Sequence, residues 1–360
     1  MDQTYYYHAF LGTNSMRGSQ GLYHVALRKD DLTLQVRHTC PALNGDYICI
    51  APDGRSLYAA YEVIYYQGRP SAAVGAYRID DDGALTLLNT RHVDGQMACF
   101  CSTDHAGTHL LSSSYMSGSV TVTPILPDGS LGEDCRVIRQ PVRRGRHWPS
   151  VHSVYETPDC RYILSTNVGL DRVFLHRLRG DGWVQAFEVA VEGRPRQAAF
   201  SADGRFVYVS TEAGGEVFVL AYDPDGPELL RPIQRISTTR PGWSGHAETA
   251  GIKLSPDGNM LLVANRAMEL NSLAVYSVDQ AGGTLNLTGH VGVHGVFPRD
   301  FDFTPDSRYV LVGLQFSDTL ELFEVDQENR TLASRRRDIP LPCCSCVKFL
   351  KEGDAMHNGG

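Results

Sequence analysis

A short turn between two apolar runs recurs six times along this 360-residue chain. Each copy carries an aspartate in a P-D-G-like turn, and successive copies lie 44 to 55 residues apart. The turn aspartates are Asp53, Asp104, Asp159, Asp203, Asp257 and Asp306. Because a period of this length is typical of repeat architectures, the repeat limits the possible folds more than any single motif does.

Each repeat continues with two further strand-like segments, as in GEVFVLAYD (215–223), which alternate apolar and polar residues between Gly and Asp turns. Four strands in about 50 residues are typical of a propeller blade. A seventh, degraded copy, CCSCVKFLKEG, supplies only a first strand, and the N-terminal segments supply three more. We therefore predict an all-β, seven-bladed β-propeller with four-stranded antiparallel blades, closed by one C-terminal strand joining three N-terminal ones. It forms one domain over residues 1–360, with a loose tail after about residue 350.

The composition excludes several classes of protein. Lys and Arg number 33 against 41 Asp and Glu, a net charge of −8, which argues against nucleic-acid and anionic-membrane partners. There is no secretory signal and no apolar run long enough to span a membrane. The nine cysteines are odd in number and irregularly spaced, which favours free thiols in a reducing compartment. We expect a cytoplasmic protein that acts as a monomer or homodimer.

In a propeller, polar groups that converge at one mouth of the central channel are what a small-molecule site requires. The candidates lie where inner strands begin or where second strands end. Four of the second-strand candidates, Glu62, Glu212, Arg266 and Gln315, lie nine residues after a turn aspartate. The full set of second-strand candidates is Asn14, Glu62, Tyr115, Asn167, Glu212, Arg266 and Gln315. Those near the start of an inner strand include His152, Arg196, His246 and Arg299.

The stretches around these residues resemble the seven-bladed lactonase family, which includes the bacterial propeller-type 6-phosphogluconolactonase and the fungal carboxymuconate cyclase. The most specific stretches are PSVHSVYETPDCRYILSTNVGLDRV (149–173), GRPRQAAFSADGRFVYVSTE (193–212) and LSPDGNMLLVANR (254–266). The resemblance implies that His152, Arg196, Glu212 and Arg266 are catalytic. This chain departs from the family pattern at Thr211, Tyr61, Ser114 and Asn167, where the family usually shows other residues.

Opening a lactone requires an activated water and stabilisation of the oxyanion. An unperturbed histidine titrates near pH 6.5, so we expect His152 to take a proton from water, with Glu212 orienting it or acting as the base. Arg196 and Arg266 suit the oxyanion or a substrate anion, and Arg299 extends the same anion site. The remaining candidates, Asn14, Glu62, Tyr115, Asn167, His246 and Gln315, are expected to bind substrate.

Three alternatives stay open. The same groups could run the reverse chemistry as a lactonizing cyclase or isomerase, or the propeller could be a non-catalytic interaction protein. His152 could be a hydrogen-bonded core residue and the arginines structural partners of Glu212. Other propeller lactonases bind calcium, but the arginines near Glu212 disfavour a cation. We therefore expect no metal and no cofactor, and 6-phosphogluconolactone as the leading anionic substrate.

Overall fold

The protein is described by a computed structural model that covers residues 4–143, 145, 147–180 and 182–351. These residues form 28 strands. In chain order the strands are β1 (Tyr6–Thr13), β2 (Gly21–Arg28), β3 (Leu34–Pro41), β4 (Gly45–Ile50), β5 (Ser56–Tyr61), β6 (Ala73–Ile79), β7 (Leu85–His92), β8 (Ala98–Thr103), β9 (His109–Ser114), β10 (Ser119–Pro124), β11 (Arg136–Arg139), β12 (Val151–Glu156), β13 (Ile163–Asn167), β14 (Arg172–Arg179), β15 (Gly182–Ala190), β16 (Pro195–Phe200), β17 (Phe206–Thr211), β18 (Glu216–Tyr222), β19 (Leu230–Ser237), β20 (Thr249–Leu254), β21 (Met260–Ala267), β22 (Leu270–Val278), β23 (Leu285–Gly292), β24 (Pro298–Phe303), β25 (Tyr309–Leu314), β26 (Thr319–Asp326), β27 (Thr331–Pro340) and β28 (Cys344–Phe349).

The strands pair as seven antiparallel blades of four. Blade 1 runs from β28 through β1 and β2 to β3, and blades 2 to 7 are the consecutive groups of four from β4 to β27. Their inner strands, β28, β4, β8, β12, β16, β20 and β24, contact one another in this order and return to β28. The predicted seven-bladed propeller, closed by one C-terminal and three N-terminal strands, is confirmed. The predicted loose tail falls mainly on residues 352–360, which lie outside the described residues.

Strand β28 is held by side chains of neighbouring blades as well as by its pairing with β1. The backbone N–H groups of Val347 and Phe349 donate to the carboxylates of Asp300 (3.1 Å) and Asp302 (2.9 Å) on β24. The ammonium of Lys253, on β20, donates to the Val347 carbonyl at 3.0 Å and lies within 3.5 Å of both carboxylates. Because these groups satisfy the backbone of an inner strand that has only one strand partner, the closing strand is fixed on both sides.

Each turn from an inner strand to the second strand contains one left-handed residue, whose N–H donates to the carbonyl three residues earlier. In blade 3 this residue is Gly107, bonded to Asp104, whereas in blade 2 it is Gly54, bonded to Ala51. Asp104 therefore corresponds to Ala51 and not to the turn aspartates. The prediction that Asp104 is equivalent to the other turn aspartates was therefore wrong by two residues. Ala106 occupies their position in blade 3. The remaining five assignments share one position in the turn.

All nine cysteines are free thiols, as their irregular spacing predicts. Five of them, Cys99, Cys101, Cys343, Cys344 and Cys346, are buried. Within the ranges that the structure describes, no helix is long and apolar enough to cross a membrane.

The closure of the ring can be tested at Leu11, which is fully buried on β1 and lies opposite Val347. Leu11→Ala should lower the free energy of unfolding by about 2–5 kcal/mol, because it leaves a cavity in the seam between the chain's two ends. Leu87→Ala, on the outer strand of blade 2 and half exposed, should change it by less than about 0.5 kcal/mol. Urea unfolding measures both. Equal effects would contradict a packed seam.

Candidate active site

A β-bulge recurs near the start of every inner strand. The register between the inner and second strands shifts there, so that one residue is left without an opposite partner, and in β20 the shift spans two residues. The bulged residues, in ring order, are Ser345, Asp46, Cys99, His152, Arg196, Ala250 with Gly251, and Arg299. A bulge interrupts the alternation of side chains between the two faces of a strand. The side chains of these residues therefore need not pack inside the blade.

In three of the bulges the free carbonyl is satisfied by a hydroxyl from the preceding blade. These hydrogen bonds run from Ser345 Oγ to Asp46 O (2.8 Å), from Ser113 Oγ to His152 O (2.9 Å) and from Thr166 Oγ1 to Arg196 O (2.8 Å). The bulge geometry is therefore fixed by the neighbouring blade and not only by its own.

The ends of the second strands form another ring. In each blade a residue at the end of the second strand donates its N–H to the carbonyl of the residue just before the inner strand. The donors are Asn14, Glu62, Tyr115, Val168, Glu212, Arg266 and Gln315. Six of the seven predicted ring positions are thus equivalent. Asn167 is not: it lies one residue earlier, and its Oδ1 caps the N–H groups of Ser150 and Leu170 at 3.1 and 3.0 Å.

Three arginines are brought together from blades 5, 6 and 7. Arg196 is only 2% exposed and Arg266 only 6%. The Nε and Nη1 atoms of both are buried and have no hydrogen-bond partner among the described residues. Arg266 lies 3.8 Å from Glu212 and 3.6 Å from Glu248, distances longer than a hydrogen bond. Buried N–H donors without acceptors are costly, so this cluster is suited to an anionic ligand that supplies them.

The positive charges in this cluster affect one another. Burial, followed by repulsion from Arg299, lowers the pKa of Arg196, and burial with repulsion from Arg196 and Arg299 lowers the pKa of Arg266. For Arg299, burial opposes the charged form, but Asp46 and Glu62 outweigh it and raise the pKa. Bringing an anion into the cluster would relieve this repulsion.

His152 lies among these arginines and is buried. Burial, then the charges of Arg196, Arg299 and Arg266, lowers the pKa of its imidazole well below the usual value. Its Nδ1 atom has no hydrogen-bond partner within the described chain. The expected titration near pH 6.5 therefore does not apply to the free protein. His152 is neutral at pH 7, and it becomes a stronger base when a bound anion offsets the charges of the arginines.

The pKa of Glu62 is shifted in the opposite direction, upwards. Burial and the neighbouring carboxyl of Asp46 raise its pKa to about 8, against the opposing effect of Arg299 and Arg196. Arg299 Nη2 lies 3.5 Å from Asp46 Oδ2 and 3.8 Å from Glu62 Oε2. Glu62 therefore holds a proton through much of the neutral range. Asp46 was missed from the sequence, although it stands two residues after Asn44, where an inner strand begins.

Arg194 is a second residue that the sequence interpretation missed. Its Nη2 atom donates to the Tyr115 hydroxyl at 3.0 Å and lies 3.3 Å from Glu212 Oε1, so it links blades 3 and 5 across blade 4. The ring of Tyr115 meets that of His152 edge-on, with centroids 6.0 Å apart. Tyr115 and Glu212 are thus placed at the same mouth as His152.

The other predicted site residues lie nearer the rim. The His246 side chain is 65% exposed and its Nε2 atom lies 2.9 Å from Glu248 Oε1. Gln315 is buried at the end of β25. Asn14 is partly exposed, and its N–H is bonded to the Cys343 carbonyl at 3.2 Å. A cleft of about 470 Å³ lies on the side of blades 3 to 5 and is lined by residues that include Tyr115 and Arg194.

Comparison with known proteins gives a consistent result. The family model described as "Lactonase, 7-bladed beta-propeller" matches residues 8–349. A 6-phosphogluconolactonase of Bacillus subtilis is 30% identical over 355 residues, which cover 96% of this chain and 99% of the relative. A 6-phosphogluconolactonase of Pectobacterium atrosepticum is 30% identical over 290 residues, covering 79% of this chain and 82% of the relative.

Other relatives are uncharacterised proteins, such as one from Lactococcus lactis at 29% identity. Solved structures show the same similarity to the lactonase family. The periplasmic gluconolactonase of Pseudomonas aeruginosa superimposes with a TM-score of 0.84 at 29% identity, covering 96% of this chain and 99% of that one. A Bacteroides fragilis structure reaches a TM-score of 0.86 at 28% identity, covering 98% and 100%. The chain belongs to the seven-bladed β-propeller lactonase family.

Proposed function

We propose that this protein hydrolyses a small anionic lactone, with 6-phosphogluconolactone as the leading substrate and 6-phosphogluconate as its product. The observation that carries the proposal is the buried cluster of Arg196, Arg266 and Arg299 around a neutral His152. Its guanidinium donors suit a carboxylate or phosphate, and membership of a lactonase family supplies the reaction class.

The three arginines have different roles in this proposal. Arg299 lies beside Asp46 and the protonated Glu62, and Arg266 lies beside Glu212 and Glu248, whereas Arg196 has no carboxylate within ion-pair distance in the described structure. Arg196 is therefore assigned to the substrate's anionic group. Arg266 lies farther from its two carboxylate neighbours than hydrogen-bonded partners would. We assign it to the oxyanion that forms at the lactone carbonyl.

The proposed hydrolysis uses the two groups whose pKa values are shifted, His152 and Glu62. Neutral His152 takes a proton from water as the oxygen attacks the carbonyl carbon, and Arg266 stabilises the resulting oxyanion. When the ring C–O bond breaks, protonated Glu62 gives its proton to the departing oxygen. Glu212 holds Arg194 and Arg266 in place and is a positioning residue in this scheme.

His152→Ala should lower the turnover number for 6-phosphogluconolactone by at least about a hundredfold, the usual contribution of a positioned base. The control is His38→Ala, on the outer strand of blade 1, which should keep its turnover. Circular dichroism and the melting temperature establish that both variants fold. A folded His152→Ala variant with unchanged turnover would remove this residue from the mechanism.

Arg196→Lys keeps the charge but loses the planar fork, so KM for the phosphorylated lactone should rise about 10- to 100-fold. The loss should be smaller for unphosphorylated gluconolactone, which lacks the group that Arg196 is assigned to bind. Arg231→Lys, at an exposed position in the same blade, is the matched control. Unchanged KM in a folded Arg196→Lys variant would contradict the anion-binding role. No hydrolysis of any lactone by the native protein would contradict the proposed function itself.

The raised pKa of Glu62 predicts how the rate depends on pH. As pH rises through about 8, Glu62 loses the proton it must donate, so kcat/KM should fall on the alkaline side. Glu62→Gln should lower kcat/KM and remove this alkaline decline. Glu133→Gln, at an exposed site in blade 3, should retain the decline. An alkaline decline that persists unchanged in Glu62→Gln would assign it to another group.

A further inference from the structure

The turns at the end of the blades opposite the mouth share one backbone geometry. Each has a left-handed residue with φ between 58° and 74°. These residues are Gly54, Gly107, Cys160, Gly204, Gly258 and Ser307. Because a side chain strains this conformation, glycine is the expected residue, and it occupies four of the six turns. Cys160 places a thiol at a position where the backbone favours none.

Two further residues depart from the repeat at the same place. Four residues before the left-handed position the other blades have apolar residues or threonine, but blade 4 has Glu156. Two residues before it the other blades have proline or alanine, but blade 3 has His105. The residues equivalent to Glu156 are Ile50, Thr103, Phe200, Leu254 and Phe303, and those equivalent to His105 are Pro52, Pro158, Ala202, Pro256 and Pro305.

These three exceptions meet in space. One potential ligand atom from each of His105, Glu156 and Cys160 lies within 4.8 Å of the other two. Glu156 Oε2 is 2.6 Å from His105 Nδ1 and accepts the backbone N–H of His105 at 2.8 Å, so its carboxylate is already oriented. Glu156 and Cys160 also line a cavity of about 280 Å³ between blades 3 and 4. His105 and Glu156 have no counterpart at their positions in the other blades, and they converge with Cys160 at one place.

We propose that His105, Glu156 and Cys160 bind one divalent metal ion of the zinc class, with water as the fourth ligand. Imidazole nitrogen, carboxylate oxygen and thiolate sulfur are the donors that zinc takes in proteins, at about 2.0–2.3 Å. Ligand atoms around a tetrahedral zinc lie about 3.2–3.8 Å apart. The 2.6 Å pair of His105 Nδ1 and Glu156 Oε2 therefore has to open slightly, and Cys160 has to approach both by up to about 1 Å. His105 and Cys160 are exposed enough to do so.

The surrounding charges agree with this assignment. The carboxylate of Glu156 and the thiolate of Cys160 would together neutralise a divalent cation. The nearby Arg161 is directed away from them: its Nη1 atom lies 2.7 Å from Asp225 Oδ1. Asp104, in the same cavity, is bonded to Thr108 and His109 and is not needed as a ligand.

The ion would join the turn of blade 3 to the inner strand of blade 4. Strand β12 carries His152 at the mouth and Glu156 at its other end, about 13 Å away at the usual rise per residue. The metal site is therefore separate from the reacting centre. It stabilises the contact between two blades and takes no part in hydrolysis.

Titration of the full-length protein, kept reduced, with Co²⁺ tests the proposal directly. One equivalent should produce a near-ultraviolet thiolate-to-cobalt charge-transfer band, and one equivalent of Zn²⁺ should abolish it. Cys160→Ser should remove the band, and His105→Ala and Glu156→Gln should weaken Co²⁺ binding at least tenfold. Cys135→Ser, which removes another partly exposed thiol of blade 3, should bind as the native protein does.

A second measurement covers the case in which a variant folds poorly. Zn²⁺ should raise the melting temperature of the native protein and of Cys135→Ser, and should slow alkylation of Cys160 in the native protein. Removal of the ion by a chelator should leave lactone hydrolysis unchanged. The absence of a charge-transfer band in the native protein, or an unchanged band in a folded Cys160→Ser variant, would overturn the proposal.

Discussion

The hydrogen bond from a hydroxyl of one blade to the bulged carbonyl of the next sets the geometry on which the candidate site depends. A bulge leaves a carbonyl without its strand partner, and a buried carbonyl needs another donor. Ser113 supplies it for His152 and Thr166 supplies it for Arg196. His152 and Arg196 are therefore each held by two blades, so the positions of the imidazole and of this guanidinium depend on how the blades pack together.

Within that frame, burial shifts the pKa values of two site residues in opposite directions. Burial favours the neutral forms of His152 and Glu62, and in the proposed mechanism the one accepts and the other donates a proton. Nearby acidic residues offset part of the positive charge of the arginines. The remaining charge is available to a ligand. A site with fully paired arginines would be more stable without substrate but would have less to offer an anion.

The fold could be predicted from the sequence because turn chemistry and strand alternation are local properties that repeat. Glu212 and Arg266 could be predicted because they fall in the repeating register, and His152, Arg196 and Arg299 because they lie near the start of an inner strand. Bulges leave no comparable pattern, so Asp46 was missed. Asn167 was predicted as the end of its second strand, whereas the equivalent residue, counted from the left-handed residue of the turn, is Val168. Neither localisation nor oligomeric state follows from these features, and the cytoplasmic assignment stays a prediction.

The closed ring also ties the site to the order of synthesis. Arg299 reaches Asp46 and Glu62 across blade 1, and the inner strand of that blade is β28. Blades 2 to 7 can pair their own strands as the chain emerges from the ribosome, but the contact between blade 7 and blade 2 requires β28 between them. A nascent chain that has not yet released this strand has every candidate catalytic residue and no assembled site. The candidate site is thus assembled in a single step, when β28 closes the ring.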